Sequence, residues 1–183
     1  MLKKDLYILT IILLLVLACE NPFSPPVIGP GTEIPIASQT DPDSVLKNFK
    51  YSYEYRDIVT YENCLHKEFE FFYIDQDEVT GELIEDRIHR EDDINRTKGV
   101  LAAFDDIRFE AWEVFHLLSE YDSTSAEEIK LRQVIFHLVL IDIDGDFGYE
   151  YLDVTGFALF KFKRSEDGYW RMSYWEDNSI QDY

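Results

Sequence analysis

The chain is poor in cysteine, in positive charge and, beyond its first quarter, in proline. Each shortage excludes something. Cys19 and Cys64 are the only cysteines. With Cys19 engaged elsewhere, no internal disulfide can staple the fold, and stability must come from packing. No Cys/His spacing suggests zinc. Lysine and arginine number 17 against 37 aspartates and glutamates, a formal net charge of −20. Such a chain repels nucleic-acid phosphates and anionic headgroups, so nucleic acid is excluded as a partner. The acidic surface serves solubility, with cationic partners or divalent ions as the alternative. All six prolines fall between Pro22 and Pro42, so nothing later in the chain is punctuated by proline. No run of apolar residues is long enough to span a bilayer, which takes about 20.

What is present begins at the amino terminus. Lys3 and Lys4 precede an apolar stretch, Leu6 to Ala18, broken only by Thr10. That is the length of a signal-peptide core. Its end, Leu15-Val16-Leu17-Ala18-Cys19, resembles the lipobox of bacterial lipoproteins. The resemblance implies cleavage after Ala18 and acylation of Cys19, the lipid-attachment residue. The alternative is ordinary secretory cleavage with Cys19 incidental. Losing Lys3, Lys4 and Asp5 with residues 1–18 moves the net charge from −20 to −21. Residues 19–40 carry the prolines, Gly29 and Gly31, and read as a tether of extended chain. The expected organisation is a signal peptide over 1–18, a lipidated cysteine and tether over 19–40, and one domain over 41–183. The location is a membrane surface outside the cytoplasm. It is either the outer membrane, with which Glu20 after the cysteine is compatible, or the outer face of the cell membrane.

Asp41, Pro42 and Asp43 form a helix start: an N-cap, proline at the first helical position and an acid in the first turn. The helix spans about 42–55, with Val45, Leu46, Phe49 and Tyr53 on one stripe and Tyr51 and Tyr55 on its neighbour. Asp57 caps a second, shorter helix carrying Ile58, Tyr61 and Leu65, in which Cys64 is a small buried hydrophobe. Lys67–Ile74 alternates as a strand with one wet face. Residues 75–90 form a loop or weak hairpin. A third helix over 91–104 places Ile94, Lys98 and Leu101 on one line. Then come strands: 109–118, a polar insert over 119–129, 131–143 apolar on both faces as a central strand should be, 149–164, and 169–176 after a turn at 165–168. In the last strand Trp170, Met172 and Tyr174 share one face, leaving Tyr169, Arg171 and Trp175 on the other. The element order predicts an α+β fold, a curved antiparallel sheet over the helices.

Two stretches carry a family likeness. One runs from Asp41-Pro42-Asp43 through Phe49, Tyr55-Arg56-Asp57-Ile58, Tyr61 and Leu65 to Phe69-Glu70-Phe71. The other runs from Gly156-Phe157-Ala158-Leu159-Phe160 through Asp167-Gly168-Tyr169-Trp170-Arg171-Met172 to Trp175-Glu176-Asp177. Together they resemble the nuclear transport factor 2-like superfamily over residues 41–178, and in particular its small bacterial lipoproteins. The resemblance implies a cone, a strongly bent sheet wrapped over helices with a pocket between them. The superfamily holds ketosteroid isomerase, dehydratases, cyclases and non-catalytic binding modules, so fold leaves function open.

An isomerase-like site needs a carboxylate base and a buried oxyanion donor. No residue here maps onto that pattern, and no catalytic, cofactor-binding or metal-ligating residue is assigned. The pocket candidates are Tyr51, Tyr55, Phe71, Glu113, His137 and Trp170. The tyrosines are equally read as core residues with polar tips. His137, in mid-strand, lies opposite Glu113 if residues 119–131 form a simple hairpin, and otherwise is a satisfied structural histidine. Asp142-Ile143-Asp144-Gly145-Asp146, with Asp153 in twelfth place, begins like a calcium loop. Phe147 stands where glycine is required, and an acidic turn is the better account. No cofactor is called for. The expected function is a membrane-anchored, non-enzymatic module binding a small apolar ligand or a protein, with a pocket enzyme of the isomerase or dehydratase type as the alternative. A homodimer patch from Leu159, Tyr169 and Trp175 on the outer face is a further expectation. Mass spectrometry of the native protein should find an acylated Cys19 as its first residue in the membrane fraction. An unmodified protein in the soluble fraction overturns the anchor.

Overall fold

The computed structural model describes residues 36–76, 83–123, 127–143 and 150–182. The expected signal peptide, Cys19, most of the expected tether and residues 144–149 of the Asp142–Asp153 stretch therefore lie outside the described residues. Among the described residues three helices, α1 (Pro42–Glu54), α2 (Ile58–Cys64) and α3 (Arg90–Ala103), accompany seven strands. These are β1 (Leu65–Gln76), β2 (Leu83–His89), β3 (Asp106–His116), β4 (Glu120–Tyr121), β5 (Glu128–Ile141), β6 (Tyr151–Arg164) and β7 (Trp170–Asp182).

The two caps behave as their chemistry requires. Asp41 accepts from the Ser44 backbone N–H, and Asp57 from those of Val59 and Thr60. Arg56 takes the left-handed conformation at φ 55° and ends α1, so that α2 starts two residues later. Asp43 in the first turn of α1 receives the Arg132 guanidinium at 2.7 Å, pinning the helix to β5. Residues 36–40 are fastened to the domain. Ala37 and Asn48 exchange two hydrogen bonds of 2.8 Å, and Trp170 N–H donates to Gln39 O. The last part of the expected tether is thus part of the folded unit, which begins at Ile36.

The sheet runs β2-β1-β7-β6-β5-β3, with β4 beside β5, and is curved and unclosed. It is mixed. β1 and β7 pair in parallel, whereas every other pair is antiparallel. An all-antiparallel sheet was the expectation, because successive strands in a meander reverse direction. The first and last strands are not successive, and their relative direction is set by what lies between them. Of the two alternatives for residues 75–90, a loop or a weak hairpin, the pairing agrees with the hairpin: residues 83–89 are a strand antiparallel to β1, from Glu70↔His89 to Gln76↔Leu83. β5 is paired on both sides, yet only one of its faces is covered: Val134 and Phe136 are buried, while Ile135 is 45% exposed. Its apolar outer face reflects β propensity and not a second packed layer.

α1 lies on the inner face. Phe49 meets Tyr53, Tyr61, Trp112, Phe160 and Trp175 at ring distances of 5.1 to 6.2 Å. Cys64 is fully buried, and burial pushes its thiol up to about 12. In the turn between β6 and β7, Gly168 adopts φ 83° and its N–H closes on Ser165 O at 2.8 Å.

Two bulges decide which side chains point inward. In β7, pairing passes from Met172↔Phe162 to Tyr174↔Lys161, which leaves Ser173 as the extra residue. Its hydroxyl donates to Lys161 O at 3.2 Å. The parity of β7 reverses there, so Trp175 and Asp177 face the concave side and Tyr174 the outer side, contrary to simple alternation. Leu159, Tyr169 and Trp175 consequently do not share one outer patch. In β3, Glu110 is the extra residue, and Phe109 and Trp112 both turn inward, 4.7 Å apart. Gly156 sits where β6 and β7 approach most closely: a Cβ there would lie 2.5 Å from Ser179 Cα and 2.6 Å from Asn178 O. Gly156→Ala should lower stability by about 2–3 kcal/mol, the upper range of overpacking, as read from the urea midpoint. An unchanged midpoint would show that this approach is not as close as described.

Candidate functional site

The concave face holds a cavity of about 90 Å3. Seven rings line it: Phe49, Tyr53, Phe109, Trp112, Phe136, Phe160 and Trp175. Leu138 and Val154 complete the apolar wall, and Asp177 is its single carboxylate. Beside it lies an open cleft of about 690 Å3 that shares Tyr53, Trp175 and Asp177 and adds Phe71, Tyr73, Asp93, Arg96, Thr97 and Val100.

Each polar group has a traceable origin. α3 buries Asp93, Thr97 and Leu101 at four-residue spacing, while Lys98 is exposed. The line Ile94, Lys98, Leu101 is therefore not the buried one. Tyr61 Oη donates to Asp93 Oδ2 at 2.6 Å. Burial holds the Asp93 carboxyl up at about 6, against the opposing pull of that hydrogen bond and of Arg96. The Tyr53 hydroxyl is buried among Thr97, Tyr61, Asp93 and Asp177, and burial with those carboxylates raises it. Tyr61 is raised for the same reasons. Asp177 accepts from Ser179 N at 3.1 Å and from Ser179 Oγ at 3.0 Å, and burial raises its carboxyl. Trp175 Nε1 is buried and has no hydrogen-bond partner. A buried donor left unpaired carries a desolvation cost of about 1–3 kcal/mol.

Of the six residues singled out from sequence, only Phe71 lines the cleft, its ring 4.6 Å from that of Trp175. Tyr51 and Tyr55 stack on each other at 4.5 Å outside the cavity, with Tyr55 45% exposed. Their neighbour Tyr53 occupies the pocket instead. Trp170 is buried in the core beneath the Arg164 guanidinium, 4.7 Å away, and does not reach the cavity. Glu113 is exposed and lies opposite Ile135, not His137. The pairing of Tyr121 with Glu128 already sets the register one residue from the assumed hairpin, and a further one-residue shift occurs across residues 117–119. His137 does pair with a carboxylate, that of Asp153 on β6, but both side chains are a third exposed on the convex face. Sequence reasoning missed Tyr53, Asp93, Thr97, Trp175 and Asp177. The four-residue spacing of Asp93, Thr97 and Leu101 was a usable signal, whereas nothing local announces the Ser173 bulge. No group of three potential metal ligands occurs among the described residues.

No protein-family model and no curated protein matches the sequence. Solved structures do. A protein from Planctomyces limnophilus aligns with a TM-score of 0.56 at 11% identity, covering 76% of this chain and 94% of that one. The Kfla4162 protein from Kribbella flavida aligns at 0.54 with 15% identity, covering 76% and 89%. An NTF2-like family protein from Streptomyces avermitilis, named as a dehydratase, aligns at 0.45 with 13% identity, covering 72% and 88%. The α+β fold with its curved, unclosed mixed sheet is shared with the first two of these structures. At these identities the likeness is one of architecture, and the chemistry has to be read from the cone's own residues.

The buried acid on α3 makes stability depend on pH. Between about pH 4 and pH 6 the folded cone keeps a proton on Asp93 that the unfolded chain has released. Its contribution therefore falls as pH rises through that window, by about 3 kcal/mol, and is level above it. Asp93→Asn removes the ionisation and keeps an acceptor for Tyr61. The variant's stability relative to wild type should rise by that amount from pH 4 to pH 7 in urea titrations. A difference that stays constant with pH contradicts the buried-acid assignment.

Proposed function

We propose that this domain is a ligand-binding module, held at a membrane outside the cytoplasm through Cys19. The ligand is a small, largely apolar molecule bearing a hydrogen-bond acceptor, seated in the aromatic cavity. The observation that carries this reading is a cavity walled by seven rings with one carboxylate, Asp177, and bordered by Trp175, whose indole N–H is buried without a partner. Ring walls with one or two placed polar groups are the usual composition of small-molecule sites. An acceptor on the ligand would recover the desolvation cost of the indole N–H, and the adjoining cleft gives it a path to solvent.

A second reading is acid–base chemistry in the same place. Its support is the Asp93 carboxyl, poised near neutrality at about 6 and hydrogen-bonded to Tyr61. The binding reading is preferred because Tyr61 is fully buried and borders neither the cavity nor the cleft, while Asp93, only 5% exposed, borders the cleft and not the aromatic cavity.

Native mass spectrometry of protein taken from its own membrane fraction should retain a small adduct. Val154→Phe, which fills the cavity, should release it. Trp175→Phe, which keeps the wall and removes the donor, should weaken retention about fivefold to tenfold, the worth of one hydrogen bond. A wild-type protein carrying no adduct, or an adduct indifferent to both substitutions, removes the basis for the binding reading.

A further inference from the structure

The cavity's charge is one-sided. Among its lining residues Asp177 is the only charged side chain, and no lysine, arginine or histidine joins it. Arg96, in the adjoining cleft, is the nearest cation of the site and faces Asp93. The faces of aromatic rings carry negative potential and attract cations, most strongly for tryptophan and where water is excluded. Wherever one of the seven rings turns its face to the cavity, that wall and the Asp177 carboxylate have the same electrostatic sign. The field of the whole chain, with a net charge of −20, concentrates cations at its surface and disfavours anions.

Resting on the binding reading above, we propose that the ligand is a small organic cation: an alkylated ammonium whose positive head sits against Asp177 and the rings of Trp112 and Trp175. Four observations narrow the class. A divalent metal ion needs several oxygen or nitrogen ligands, typically six to eight oxygens for calcium, and the cavity offers one carboxylate among rings. A primary ammonium brings three N–H donors, whereas Asp177, the cavity's single carboxylate, already accepts one bond from Ser179 on each oxygen and cannot satisfy all three. A fully methylated nitrogen has no donor to satisfy and presents an apolar surface to the rings while keeping its charge. Trp175 Nε1 then requires an acceptor on the same molecule, such as a hydroxyl or ether oxygen close to the nitrogen. The cavity volume of about 90 Å3 suits a head group of a few heavy atoms, with any longer substituent lying in the cleft.

Choline and its neutral carbon isostere, 3,3-dimethyl-1-butanol, test the proposal as probes of equal shape. Both carry the hydroxyl, and only choline carries the charge. Calorimetric titration into the whole mature protein should show choline binding at least tenfold more tightly. The preference should collapse in Asp177→Asn, with folding checked by thermal melting. If that variant does not fold, Trp112→Leu replaces it and should weaken choline more than the alcohol. Equal affinities in the wild type overturn the cation assignment and leave the apolar pocket standing. No binding of either probe also overturns it, and the retained adduct then decides separately whether the cavity binds anything.

Discussion

One residue inserted into the last strand governs the inside of this cone. Ser173 gives β7 an unpaired position between Met172 and Tyr174, and every side chain beyond it changes face. Met172 and Trp175, three apart, both turn inward as a result, and Asp177 follows two residues later. The Glu110 bulge does the same for Phe109 and Trp112 on the far side of the sheet. Bulges bend a strand as well as shifting its parity, so the same two devices that curve the sheet also furnish its concave face. With regular alternation Tyr174 would face the helices. The indole of Trp175 would then stand on the convex side with Lys161 and Phe72, where Tyr174 now lies.

α1 fits the space the bulges create. Phe49 touches rings from α1, α2, β3, β6 and β7, so it joins the helical layer to both halves of the sheet. Its position rests on the Asp41 cap and on the Asp43–Arg132 ion pair, which fix where the helix begins and against which strand. The cost of the design is local. The cone keeps a carboxylic acid buried on α3, a second carboxylate on β7 and an indole N–H without a partner, all around Tyr53. A domain selected for stability alone would replace such groups with apolar ones. Their concentration around one aromatic cavity is what supports reading a site there.

The segment from which a membrane address is proposed and the cavity belong to different parts of the chain. The lipobox-like segment speaks only through its sequence, whereas the cavity exists only in the folded domain. Residues 36–40 connect the two, packed by the Asn48 amide and the Trp170 N–H against α1 and the start of β7.

Local chemistry is what the sequence determined by itself. Asp41 and Asp57 cap helices because short acceptors placed before an apolar repeat satisfy the first free N–H groups. Cys64 is buried because its helix faces inward, and the turn at residues 165–168 closes on a glycine able to adopt positive φ. The α+β order and the cone followed from these signals and from the family resemblance. The tertiary structure decided everything that depends on pairing between distant segments. It set the parallel contact of β1 with β7, the register that places His137 beside Asp153 and not Glu113, and the bulge that turns Trp175 and Asp177 inward. An alternating pattern reports the face of a side chain only while the strand remains regular. A single unpaired residue, selected by its neighbours in space and not in sequence, reverses that report for everything after it.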